Sequence, residues 1–178
     1  SSSLYAALGR DERHPLAQRS NRIEAFFGAA ELSRDFDWLR VRATAIAASG
    51  DSNPFDGRAT GFDAILENPQ IAGADTSFWI RQAVPLVGGG GVALSGRNGL
   101  LPSLRSSKDL GQSNFVNPGL TLLGIGADVD VSPQVRVVAN LAKLDFVDTA
   151  SLSVLRAQGA ISRDIGVDLS AGVQYRPY

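Results

Sequence analysis

The end of the chain shows a strict alternation of apolar and polar positions. Between residues 164 and 176 every odd position is apolar and every even position is small or polar. The apolar positions are Ile165, Val167, Leu169, Ala171, Val173 and Tyr175. A period of two places the two sets on opposite faces of an extended strand. The pattern therefore predicts a β-strand with one apolar face and one polar face.

The same alternation predicts four more strands earlier in the chain. They cover residues 22–29, 38–47, 123–131 and 135–142. Turn-forming residues at Ser33-Arg34-Asp35 and at Ser132-Pro133-Gln134 join them into two hairpins. A phase break at Lys143 to Phe146 is typical of a β-bulge. The chain is thus predicted to be all-β, with antiparallel strands.

Long connections alternate with these tight turns. Residues 1–20 are predicted to form a loop, with a short helical turn around Leu4 to Leu8. Residues 50–113 are rich in Gly, Pro, Asn, Asp and Ser, and we expect a long loop in which Phe78 to Val87 forms a strand or folds inward. Residues 147–162 are predicted to be a loop with one short helix, capped by Asp148 or Thr149. Short turns at one end and long loops at the other are typical of an outer-membrane β-barrel, in which the long loops are extracellular.

Membrane passage of this chain would have to use strands. No apolar run approaches the roughly 20 residues of a membrane helix. An arginine facing lipid at mid-membrane costs about 2–4 kcal/mol, so Arg40 and Arg42 are expected to face water. Bacterial barrels have at least about eight strands, and lipid does not tolerate open sheet edges. We therefore expect one β-barrel region over residues 1–178 that is part of a larger barrel wall, or that other chains complete.

Composition argues against several other functions. The net charge is -1 and no polybasic run occurs, which disfavours a nucleic-acid partner. Cysteine is absent, and the single histidine, His14, lies in a polar stretch without a G-x-S-x-G motif. We therefore predict no enzymatic activity and no cofactor.

Several short motifs resemble the alginate-export family of outer-membrane porins. They are Ala48-Ser49-Gly50-Asp51, Gly61-Phe62-Asp63, Asn68-Pro69, Ala72-Gly73, Phe78-Trp79 with Gln82, and Asn117-Pro118-Gly119-Leu120. The resemblance covers roughly residues 22–178. It implies a bacterial outer-membrane location, the C-terminal part of a large barrel, and one further strand after Tyr178.

The predicted water-facing positions are the candidate pore lining. They are Arg22, Glu24, Arg40, Arg42, Asp128, Asp130, Arg136, Asn140, Asp164, Asp168, Gln174 and Arg176. Rows of opposite charge would select among charged solutes, whereas pairing of these residues across strands would only stabilise the wall. Asp51, Asn53 and Asp56 form a weak calcium candidate, for which an Asx-rich turn is the alternative.

Three functions remain open from the sequence. The first is a porin-like channel for passive passage or export of polar solutes, anionic solutes or polysaccharide, with outer-membrane lipid around it. The second is a structural barrel that scaffolds an envelope protein complex. The third is a soluble β-sandwich that binds carbohydrate.

Overall fold

The long strands of the chain pair into one antiparallel sheet. The computed structural model describes residues 1–12, 18–63, 73, 76, 83–86, 90–93 and 115–177. Its long strands are β1 (Ser2–Asp11), β2 (Asn21–Phe36), β3 (Leu39–Ala48), β7 (Leu120–Ser132), β8 (Val135–Asp145) and β9 (Asp164–Tyr175). They lie side by side in the order β1-β2-β3-β7-β8-β9. The fold is therefore all-β, and within the described residues β1 and β9 are the two edges of this sheet.

The remaining elements are short. Strand β4 (Arg58–Ala59) pairs in parallel with the start of β2, and β5 (Ala83–Leu86) forms a separate hairpin with β6 (Gly90–Ala93). Helix α1 (Ala150–Arg156) has seven residues and lies in the connection between β8 and β9. Among the described helices, none has the length and apolar character needed to cross a membrane.

The pairing register sorts the residues of the sheet onto two faces. One cross-strand row contains only apolar residues: Leu32, Ala43, Ile125, Leu141 and Leu169. The row displaced by one residue on each strand contains Ser33, Arg42, Gly126, Asn140 and Ser170. Because alternate residues point to opposite sides of a strand, these rows define an apolar face and a polar face.

Burial on the two faces is the reverse of that in an ordinary globular sheet. On the apolar face, Leu169 is 77% exposed and Ile125 is 63% exposed. On the polar face, Asn140 is 8% exposed and Asp168 is 5% exposed. Soluble monomers rarely leave large contiguous apolar patches uncovered, so the apolar face requires a non-aqueous neighbour.

Loop residues cover the polar face at the end of the sheet where the long connections meet. Phe62 stacks on Phe27 of β2 with ring centroids 5.2 Å apart, and both pack with Ala25, Ala48 and Phe115. This apolar cluster anchors the loop to the sheet.

Backbone hydrogen bonds tie three connections together at this loop end. The N–H of Asp51 donates to the carbonyl of Asn117 at 2.7 Å, and the N–H of Asp148 donates to that of Pro118 at 2.8 Å. Gly119 has a φ of +68°, and a Cβ there would lie 2.6 Å from the carbonyl oxygen of Ala48. Only glycine fits this left-handed, crowded position.

The prediction of a loop over residues 1–20 is wrong for residues 2–11. These residues form β1, which pairs with β2 from Ser2↔Ala30 to Asp11↔Asn21. Leu4 and Leu8 lie on the apolar face of this strand, whereas Tyr5 lies on the polar face and contacts Phe27 at 6.0 Å between ring centroids. Apolar residues on both faces hide the alternation that identifies a strand.

The first hairpin turn also differs from its prediction. The structure continues β2 through Ser33-Arg34-Asp35 and turns at Asp37 and Trp38. The carboxylate of Asp35 accepts from Arg40 across the hairpin, so Asp35 acts as a strand residue rather than a turn residue.

The second turn and the helical loop agree with their predictions. The turn lies at Pro133 and Gln134, and the pairing of β8 with β9 shifts between Leu144 and Asp145, where a bulge was predicted. Helix α1 lies in the predicted loop, and the Asp148 carboxylate accepts from the N–H of Ala150 at 2.8 Å. Phe78 to Val87 was predicted to form a strand or to fold inward; Ala83–Leu86 of this segment forms β5, and its other residues lie outside the described ones.

Candidate channel wall

Nine of the twelve predicted water-facing residues lie on the polar face. The register places them there on β3, β7, β8 and β9, with one just past the end of β9. They are Arg40, Arg42, Asp128, Asp130, Arg136, Asn140, Asp168, Gln174 and Arg176. The polar face therefore gathers residues that are more than 100 positions apart in the sequence.

The other three predicted residues lie on the apolar side, so their prediction as pore-lining is wrong. Arg22 and Glu24 lie on the same side of β2 as Leu32. Their side chains form an ion pair at 2.7 Å. Asp164 lies opposite Asp145 because of the bulge, and its carboxylate accepts from Lys143. All three mark the loop end of the apolar face.

The charges of the polar face are arranged in pairs across neighbouring strands. Arg136 donates two hydrogen bonds to the Asp130 carboxylate, at 2.6 and 2.7 Å, and Arg40 pairs with Asp35. Such exposed pairs contribute little to stability, because water screens their charges. Near the hairpin turns, most charged residues of the polar face therefore pair with each other across strands. Such pairing was the alternative to a role in solute selection.

A hydrogen-bonded chain continues from these pairs toward the loop end. Arg42 donates to Asp128 at 2.6 Å and to the side-chain oxygen of Asn140 at 2.9 Å. The Asn140 amide nitrogen donates to the Thr76 hydroxyl at 2.9 Å, and that hydroxyl lies 3.0 Å from the hydroxyl of Ser170. Thr76, which belongs to no motif recognised in the sequence, therefore holds part of the long connection against the polar face.

The turn that carries Thr76 approaches the sheet closely. The Thr76 N–H donates to the carbonyl of Gly73 at 3.0 Å, and Gly73 has a φ of +67°. A Cβ on Gly73 would lie 2.4 Å from the side-chain amide carbon of Asn140. Gly73 and Thr76 therefore contact the polar face at Asn140 and Ser170.

Gly73→Ala is expected to release this turn from the sheet. The added methyl group meets Asn140, and the left-handed backbone costs a non-glycine residue about 1–2 kcal/mol. Limited proteolysis should cut the long connection several-fold faster than in the wild type. Gly159→Ala is the matched control, because a Cβ there meets nothing within 4 Å; equal cleavage of the two variants would refute the docking role of Gly73.

The weak calcium candidate forms a series of Asx turns. An Asp51 carboxylate oxygen accepts from the N–H of Asn53 at 3.0 Å, and the Asn53 side-chain oxygen accepts from the N–H of Phe55 at 3.1 Å. The Asp56 carboxylate accepts in the same way from Arg58 at 2.7 Å. These oxygens serve the local backbone, and the described residues contain no group of three or more His, Cys, Asp or Glu side chains placed to hold a metal.

Asp51 is nonetheless unusual among the carboxylates. It is 1% exposed, and its second carboxylate oxygen has no hydrogen-bond partner. Burial raises the pKa of Asp51 to about 6, the negative charges of Asp56 and Asp148 act in the same direction, and the hydrogen bond from Asn53 opposes them. The loop junction therefore contains one carboxyl group that titrates near neutral pH.

Aromatic residues mark the turn end of the sheet. Trp38 is 61% exposed at the first hairpin turn, and Tyr175 ends β9 on the apolar face. The Arg34 guanidinium lies 4.8 Å from the ring centroid of Phe36 on the same face. The apolar face is thus bordered by aromatic groups at the turn end and by Arg22, Glu24, Lys143, Asp145 and Asp164 at the loop end.

Comparison with known proteins gave no match, since no family model, curated protein or solved structure matches the chain. The alginate-export resemblance stays a prediction. Its motif residues Asn68-Pro69, Phe78-Trp79 and Gln82 lie outside the described residues, whereas Gly61-Phe62-Asp63 and Asn117-Pro118-Gly119-Leu120 pack together at the loop end.

Proposed function

We propose that this sheet is part of the wall of a bacterial outer-membrane β-barrel, whose lumen passes polar or charged solutes passively or exports polysaccharide. The observation that carries the proposal is the exposure of the apolar face across all six long strands, opposite a polar face that is partly buried. A membrane barrel has this distribution because lipid contacts its outside and water its inside.

The height of the apolar band supports a lipid neighbour. On β2 the charged residues Glu24 and Arg34 enclose Phe26, Gly28, Ala30 and Leu32 on the apolar face. The ten residue-to-residue steps from Glu24 to Arg34, at ~3.3 Å each, span about 33 Å along the strand, and a tilt of roughly 35–45° reduces this to about 25 Å of height. The hydrophobic band of outer-membrane barrels is also about 25 Å tall.

The residues at the two borders of the apolar band support one orientation of the sheet relative to the membrane. Exposed Trp38 and Tyr175 at the turn end match the aromatic girdle found at membrane boundaries. The long connections all leave from the opposite end, which is the extracellular end in bacterial barrels. We therefore assign the hairpin turns to the periplasmic side.

The polar face supports a lumen that is narrowed at mid-height. Arg42, Asp128 and Asn140 connect the wall to the turn at Gly73 and Thr76, which would project into the water-filled space. Paired charges of both signs beside such a constriction favour polar solutes over apolar ones.

Two measurements on the purified protein test this proposal. Conductance in planar bilayers is expected to rise in discrete steps, whereas stable insertion without conductance would favour the scaffold alternative. Trp38, in a Trp79→Phe background, is expected to be quenched more by lipids brominated near the headgroup than by lipids brominated near the chain end. A protein that stays in the aqueous phase and shows no quenching would instead be the soluble carbohydrate-binding sandwich.

A further inference from the structure

We propose that the loop end of the apolar face holds an anionic lipid, with its phosphate on an arginine cluster and its acyl chain in the groove beside it. The cluster consists of Arg10, Arg22 and Arg58. The inference rests on the proposed membrane location of this face.

The arginines are brought together by strand pairing. Arg22 of β2 stands directly opposite Arg10 of β1 on one side and opposite Arg58 of β4 on the other. Directly opposed residues have Cβ atoms about 4.5–5.5 Å apart, and like charges in that position are destabilising. A row of three arginines is therefore unfavourable unless an anion lies near it.

The protein supplies little compensating charge on this face. Glu24 is shared, at 2.7 Å from Arg22 and 3.9 Å from Arg58. Arg10 donates to the uncharged hydroxyl of Ser20 at 2.8 Å.

One negative charge, that of Glu24, is divided between two arginines of the cluster. The carboxylate of Asp56 accepts from the backbone N–H of Arg58. The side chains of Arg22 and Arg58 are 72% and 63% exposed, so a phosphate can reach them.

An apolar groove lies on the same face, toward the middle of the band. It has a volume of about 630 Å³ and is lined by Leu4, Phe26, Gly28, Ala47 and Val147, among others. Gly28 and Ala47 are opposed across β2 and β3, and neither carries a side chain larger than a methyl group. Its size and lining suit part of an acyl chain, and Phe26 is only two residues from Glu24 on the same face of β2.

The arginine cluster and the neighbouring groove together indicate which ligand binds here. A free phosphate would satisfy the arginines but leave the groove empty, and an uncharged lipid would fill the groove but leave the arginines unpaired. An anionic phospholipid of the leaflet on the loop side satisfies both, and guanidinium groups bind phosphate with paired hydrogen bonds.

The test compares binding to vesicles of pure phosphatidylcholine with binding to vesicles that contain phosphatidylglycerol as well. We expect wild-type protein to prefer the anionic vesicles. A basic residue near an anionic surface contributes about 1 kcal/mol, which corresponds to about fivefold in affinity. Arg22→Gln combined with Arg58→Gln should therefore lower the preference by about 25-fold at low salt.

The control removes the same charge elsewhere. Arg34→Gln combined with Arg163→Gln should keep most of the preference, because these residues lie outside the cluster. Glu24→Gln should raise the preference, since it frees two arginines from their carboxylate. Ala47→Phe should fill the groove and reduce binding of the anionic lipid without changing competition by inorganic phosphate.

The outcomes separate the two proposals. Equal binding to both vesicle types, or equal losses in the cluster and control variants, overturns the lipid site while the membrane wall stands. Strong competition by inorganic phosphate together with no effect of Ala47→Phe identifies a plain anion site and also overturns it. Failure to bind any vesicle overturns the proposed function, and the lipid site with it.

Discussion

Leu169→Arg is expected to prevent stable insertion of the protein into phospholipid vesicles. Leu169 lies at the centre of β9, is 77% exposed on the apolar face, and ends the row that begins at Leu32. An arginine that faces lipid near the midplane costs about 2–4 kcal/mol, which lowers the inserted fraction about 30-fold or more. The fraction that floats with vesicles in a density gradient measures the effect.

Two control variants isolate the cause. Leu169→Met keeps the side chain apolar and should insert like the wild type. Ser33→Arg adds the same charge on the polar face, where Glu31 and Asp35 flank it, and should also insert. If Leu169→Arg instead folds in buffer without detergent and is more soluble than the wild type, the apolar face does not meet lipid.

Asp51→Asn is expected to remove a pH-dependent loss of stability. In the unfolded chain Asp51 releases its proton near its ordinary pKa, whereas burial raises the pKa of the folded group to about 6. Between these two values the folded state holds the proton more tightly. The stability that this provides is complete below the unfolded pKa and is lost as pH rises through about 6.

The size of the effect follows from the shift. From about pH 4 to about pH 7.5, the free energy of unfolding of Asp51→Asn should gain about 2–3 kcal/mol relative to the wild type, at 1.36 kcal/mol per pKa unit. Unfolding in detergent micelles, followed by tryptophan fluorescence at several pH values, measures this difference. Asp37→Asn is the control, because Asp37 is exposed at the first hairpin turn, at the other end of the sheet from Asp51; a constant offset for Asp51→Asn across the same pH range would contradict the prediction.

The alternation of apolar and polar residues correctly predicted those strands that have one apolar face and one polar face. On β7 and β9 one face is apolar and exposed, and the other carries Asp128, Asp168 and Ser170. That contrast is present in the sequence, so the position and phase of these strands could be assigned without a structure.

The phase of β2 could not be assigned correctly because a distant segment covers its polar side. Phe62 and Phe115 pack over Ala25 and Phe27 at the loop end, so the side that continues the polar face is apolar there. The opposite side carries Arg22 and Glu24 beyond the apolar band. The local sequence alone predicts that the side of β2 with Ala25 and Phe27 is the apolar face of the sheet. It therefore assigns the two faces of β2 the wrong way round.

The contacts of the candidate wall also depend on information that a single sequence does not carry. Arg42 and Asn140 are 98 positions apart, and Thr76 and Ser170 are 94 apart. The residue types predicted a polar face, but the choice of partners depends on the register between β3, β7 and β8 and on the path of the long connection. Neither follows from local propensity.

The two edges of the sheet run in opposite directions, because six strands alternate in direction from β1 to β9. A ring that stays antiparallel throughout can therefore add only an even number of strands between these edges. Each further copy of the sheet would contribute six, so symmetric rings of any copy number satisfy this parity rule. A ring completed by an odd number of strands would have to contain one parallel seam.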